Sequence, residues 1–181
     1  MLRQTLKICL LLAVIGMIPI VAQAQDNNRR FKANLIGISE VPALSNVASG
    51  TFKMVIDRSD TSFTFELTYS GMSGTGATQS HIHLAQKGVN GGIMVFFCSN
   101  LGNGPPGTQA CPANGTVTGT VTAANVIGGA AGQGIAAGEF AEVLRAIRNG
   151  VVYANVHSAM FPGGEIRGQL IHDEGDDEEN H

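Results

Sequence analysis

Hydrophobic and polar residues alternate along most of this chain with a period of two, the spacing of a strand with one buried side. The cleanest run sets Phe63, Phe65, Leu67 and Tyr69 against Ser62, Thr64, Glu66 and Thr68. Just before it, Thr51 to Asp57 puts Phe52, Met54 and Ile56 on one side, and Arg58-Ser59-Asp60-Thr61 in between is turn chemistry. The two runs predict an antiparallel hairpin with one buried face. Further strands are expected from Phe31 to Ile38, around His81 and His83, from Gly92 to Cys98 and from Thr116 to Thr122. A last hairpin is expected from Val151 to His157 and Gly164 to Ile171, around Met160-Phe161-Pro162-Gly163. Ser39 to Ser49, the Gly-rich 70–77 and 87–91 read as loops, and the Ala/Gly-rich 123–137 carries no period.

One stretch has a different period. Phe140, Val143, Leu144 and Ile147 recur at i, i+3, i+4 and i+7, which predicts a helix from Glu139 to Asn149 with Gly150 as its stop. Its apolar stripe suits a cover over one open end or edge of a sandwich. Short strands, Gly/Pro/Asn turns and one late helix predict an all-β fold. The expected architecture is an antiparallel β-sandwich, immunoglobulin-like or superoxide-dismutase-like, with one short helix late in the chain.

Some strand positions carry polar groups where apolar ones would be ordinary. His81 and His83 share one side, with Ile82 opposite. Tyr153, Asn155 and His157 share a side, and so do Glu165, Arg167 and Gln169. With a symmetric hairpin loop, His157 lies opposite Glu165 and Asn155 opposite Arg167, close enough to interact. Two chemistries fit. His81, His83 and His157 could bind copper or zinc and leave a coordination position open. Glu165 would then be a further ligand or would orient an imidazole, and Met160 would be within reach as a thioether contact for copper. In the other reading the same imidazoles, with Asn155, Glu165 and Arg167, form a hydrogen-bonded network that fixes strand register. The sequence leaves both open. His172 and His181, in the tail, are expected to be solvated.

The chain ends change the picture in a different way. Arg3 and Lys7, an apolar run from Ile8 to Val21 and Ala22-Gln23-Ala24 have the form of a cleavable secretory signal peptide, residues 1–24, cut after Ala24. A polar lead-in (25–30), one domain (31–171) and an acidic, disordered tail (172–181) follow. No later segment is apolar enough to span a bilayer. The formal net charge of −3 becomes −5 once Arg3 and Lys7 are lost. That balance excludes a nucleic-acid partner, because no basic stripe exists to neutralise phosphates. Cys98 and Cys111 remain after cleavage, bracket a Gly/Pro/Asn-rich loop and are expected to form a disulfide in an oxidising compartment.

Catalytic signatures are missing. Ser80 and Ser158 adjoin histidines, but strand neighbours point to opposite sides, so neither pairs as nucleophile and base. No G-x-S-x-G elbow, phosphate loop or dinucleotide fingerprint occurs in the sequence.

Four stretches together resemble the CHRD domain: Glu40-Val41-Pro42, His81-Ile82-His83, Tyr153-Ala154-Asn155-Val156-His157-Ser158 and Pro162-Gly163-Gly164-Glu165-Ile166-Arg167-Gly168. The resemblance covers residues 31 to 171, departs from the family at Ala43, where many members carry a second proline, and is similar to the stand-alone exported bacterial type. It implies a β-sandwich in an extracellular setting and no particular reaction. The expectation is therefore a secreted or periplasmic, non-enzymatic binding or structural module with a protein, glycan or matrix partner. The alternative is a three-histidine copper or zinc protein with redox or hydrolytic activity.

Overall fold

The computed structural model describes residues 28–174. The expected signal peptide and the tail from residue 175 onward lie outside the described residues. The strands are β1 (Arg30–Ile36), β2 (Ser49–Ile56), β3 (Ser62–Ser70), β4 (Ala77–Leu84), β5 (Ile93–Ser99), β6 (Gly115–Thr122), β7 (Val152–Ser158), β8 (Ile166–Gln169) and β9 (Ile171–His172), with one α-helix, α1 (Phe140–Arg148). They form one antiparallel sheet in the order β5-β4-β7-β8-β1-β2-β3-β6, and β9 pairs with β1.

This sheet rolls over on itself, so the two walls of the sandwich are halves of a nearly closed barrel. Its end strands β5 and β6 come together at a seam. There Cys98 of β5 is bonded to Cys111, and the Ser99 amide donates to the Gln109 carbonyl at 2.9 Å. Alternation carries its apolar side into the interior: Leu35, Phe52, Ile56, Phe63 and Leu67 have no exposed surface. The ring of Phe97 lies 4.9 Å from that of Phe52 and 4.3 Å from that of Phe65, joining the walls. Helix α1 buries its predicted stripe and closes the end beside the β2–β3 turn. Phe140 stacks on Phe63 at 5.9 Å, and the Arg148 guanidinium holds Asp60 with two bonds of 2.9 and 2.7 Å.

Several boundaries differ from the sequence expectation for local reasons. Strand β1 stops at Ile36 because Gly37–Ser39 turns into a single 3-10 turn. The expected strand from Gly164 to Ile171 begins at Ile166 and is interrupted at Leu170: β8 pairs with both β7 and β1, and β9 beyond the break pairs with β1. His172 is exposed, as expected, but it belongs to the sheet: it pairs with Phe31 as the end of β9, with the two rings 4.5 Å apart. The Ala/Gly-rich segment forms 3-10 turns at Ala123–Asn125 and Gly128–Gln133. At Gly129 the small residue is a packing requirement, since a Cβ there would stand 2.5 Å from the Ile93 carbonyl oxygen.

Strands β4, β7 and β8 are unusual in having both sides covered. Ile82, Ala154, Val156 and Ile166 face the barrel interior and are fully buried. On the other side the β4–β5 loop, the loop after β1 and the β7–β8 loop lie over the sheet. Every residue of β7 is consequently buried, including its polar ones.

Candidate metal centre

The register of β4 and β7 sets the geometry. His83 pairs with Tyr153, His81 with Asn155 and Gln79 with His157, so His157 stands diagonally across from His81 on the same side. Their ring centroids are 4.6 Å apart, and those of His81 and His83 are 5.1 Å apart. One ring nitrogen from each of His81, His83 and His157 lies within 4.8 Å of the other two. All three side chains are buried.

Backbone carbonyls decide which nitrogen of two of these rings carries the proton. His83 Nδ1 is 2.9 Å from the Gly91 oxygen, and His157 Nδ1 is 2.9 Å from the Pro162 oxygen. A carbonyl oxygen only accepts, so in both rings Nδ1 bears the hydrogen and Nε2 is a bare lone pair. His157 Nε2 and His81 Nε2 are buried and have no hydrogen-bond partner. His81 Nδ1 is 3.1 Å from His83 Nε2 and 3.3 Å from Asn155 Oδ1. Burial lowers the pKa of all three, to about 2 for His81 and about 4 for His83, and for His81 the neighbouring imidazoles add to the effect. At neutral pH these are uncharged rings with available lone pairs, the form that ligates metals.

A second layer holds the first. The ring of His83 stacks on Tyr153 at 4.6 Å with the planes 1° apart, and the Arg167 guanidinium carbon sits 3.3 Å from the Tyr153 ring centre. Arg167 donates to Asn90 Oδ1 at 2.9 Å and to the carbonyls of Val89 at 2.6 Å and Gln86 at 3.4 Å. It thereby clamps the loop that supplies the Gly91 carbonyl to His83. Asn155 and Arg167 pair directly across β7 and β8, as the sequence predicts.

Glu165 is placed differently from its expected role. Its carboxylate accepts from the Ser73 amide at 3.0 Å and the Ser73 hydroxyl at 2.6 Å, so it ties down the β3–β4 loop and contacts no imidazole. Met160 is exposed at the surface. The residue that sequence reasoning passed over is Glu40. Its side chain is 6 % exposed, and its Oε1 has no partner. It is wedged beneath Gly164, where an added Cβ would lie 2.4 Å from that oxygen. The one available signal was its place in the Glu-Val-Pro stretch. The Gly91 and Pro162 carbonyls left no signal at all.

Burial raises the Glu40 pKa to about 7, against the pull of Arg167. A raised carboxyl pKa favours the fold fully below the unfolded value and less as pH climbs through the folded one. Glu40→Gln, which keeps the shape without the charge, should therefore flatten the loss of stability between about pH 4.5 and pH 7. At pH 8 it should be more stable than the parent by on the order of 2 kcal/mol. Urea midpoints at pH 4.5 and pH 8 check this. An equal effect of the substitution at both would contradict it.

The CHRD domain model matches residues 31–170. The chain belongs to the CHRD family. No curated protein matches it significantly. Family membership supports a non-enzymatic module and names no ligand. The four stretches that mark the resemblance, drawn from three distant parts of the sequence, meet on this covered side of β4, β7 and β8. Among the described residues no helix is long and apolar enough to cross a membrane. The Cys98–Cys111 disulfide is consistent with an extracellular location.

Proposed function

We propose that this CHRD domain is an exported, non-enzymatic module that holds one copper or zinc ion through His81, His83 and His157. The carrying observation is the pair of orphaned nitrogens, His81 Nε2 and His157 Nε2, beside a His83 whose Nε2 is left bare by its bond to Gly91. A buried polar atom without a partner costs about 1–3 kcal/mol. A purely hydrogen-bonded network leaves two such atoms side by side, whereas a cation uses the lone pairs that nothing else takes up. The neutral state of the rings and the carbonyls behind two of them support the same reading. Export rests on the leader-like residues 1–24 and on the disulfide.

The test is metal content by mass spectrometry on protein exported natively and purified without chelator. About one copper or zinc per chain is expected, and none in a folded His81→Ala/His83→Ala variant. A wild-type protein without metal, even after incubation with copper and zinc salts, would return the histidines to a structural role.

A further inference from the structure

We infer that Asn155 is the positioning residue of this centre: its side-chain oxygen fixes His81 in the tautomer that presents Nε2 to the metal. The inference rests on the three-histidine reading but makes a claim about the metal-free protein as well. Each of the three Nδ1 atoms faces a carbonyl oxygen: Gly91 O for His83, Pro162 O for His157 and Asn155 Oδ1 for His81. Metal-bound histidines characteristically donate their second ring N–H to such an oxygen, which sets tautomer and ring orientation. The first two oxygens belong to the backbone. Only the third is supplied by a side chain, directly opposite His81 in the β4–β7 register.

Proton counting separates the two states of the site. Without metal, the His81 Nδ1 hydrogen lies between two acceptors, His83 Nε2 at 3.1 Å and Asn155 Oδ1 at 3.3 Å, which are themselves 3.1 Å apart and share that one hydrogen. His83 Nε2 cannot donate back, because the His83 proton is spent on Gly91. A metal ion bound at His83 Nε2 takes that lone pair, and Asn155 Oδ1 becomes the one acceptor left for the His81 proton. Asn155 thus matters more to the metal-bound protein than to the free one. This asymmetry is not expected of a residue that only fixes strand register. Asn155 is itself 2 % exposed, so water does not substitute for it.

Two-bond 15N–1H spectra of the labelled, metal-free protein report the tautomers directly. His81, His83 and His157 are all expected as Nδ1–H, the minor form of free histidine. In metal-free Asn155→Leu, His83 Nε2 still accepts the His81 proton, so all three tautomers should stay as in the wild type, while zinc affinity should fall by about 10–100-fold. Asn155→Asp keeps the acceptor and should keep both the His81 tautomer and zinc binding. Wild-type His81 found as Nε2–H overturns the inference, and so does an Asn155→Leu variant that binds zinc as the wild type does. If Asn155→Leu does not fold, the wild-type tautomer and the Asn155→Asp variant decide. A wild type that binds no zinc ends the metal reading. That outcome overturns this inference together with the proposed function, whereas zinc binding by the wild type and equally by Asn155→Leu overturns this inference alone.

Discussion

Arg167→Ala is expected to destabilise the domain by about 3–5 kcal/mol, more than the loss of any other side chain around the three histidines. Arg167 is 2 % exposed, and its fork binds Asn90 Oδ1 and the Val89 carbonyl with short bonds. Hydrogen bonds from a charged group contribute about 1.5–3 kcal/mol each, and truncation also leaves the acceptors unpaired under a loop that excludes water. The face of Tyr153 loses its cation at the same time. Arg167→Lys restores the charge but neither the planar fork nor the stacking, so it should recover only part of the loss. Urea unfolding measures the series. An alanine variant within about 1 kcal/mol of the wild type would mean that the clamp on the 85–92 loop is not stabilising. Because that loop carries the Gly91 carbonyl, a folded Arg167 variant should also bind metal more weakly.

Removing the disulfide should cost about 3 kcal/mol, the entropy of reopening a loop of this size in the unfolded chain. The bridge spans a sequence separation of 13 at the seam between β5 and β6. The loop it closes has other tethers: Asn100 Nδ2 donates to the Ala77 and Cys111 carbonyls at 3.1 and 2.9 Å, and Asn100 Oδ1 accepts from the Cys111 amide at 3.0 Å. These contacts hold the loop in the folded state, so a Cys98→Ala/Cys111→Ala protein should keep its structure and lose stability mainly through its freer unfolded chain. The expected signature is a lower urea midpoint with a steeper denaturant slope. The Ser99 amide, which bonds across the seam to Gln109, should also exchange faster. A loss below about 1 kcal/mol would show that the Asn100 tethers already constrain the unfolded chain.

Alternation of side chains is a local property, and everything that depended on it alone was legible. The residues by themselves determined the β2–β3 hairpin and its buried face, the stripe of α1 and the shared side of His81 and His83. They also determined the direct pairing of Asn155 with Arg167, because a short loop between neighbouring strands fixes register. Neighbourhood across the sheet is not local. Nothing along the chain says that β4 inserts between β5 and β7, and that insertion alone brings His157 beside His81. Nor does alternation say that a polar strand face will be covered: β7 is buried on both sides because its own following loop and two loops from elsewhere fold over it. Glu165 shares a parity with Arg167, yet its carboxylate leaves the histidines for Ser73, because it stands just before β8 starts at Ile166, outside the regular strand. The carbonyls of Gly91 and Pro162 set two of the three imidazole tautomers. Every residue has a carbonyl, so only the tertiary structure could single those two out.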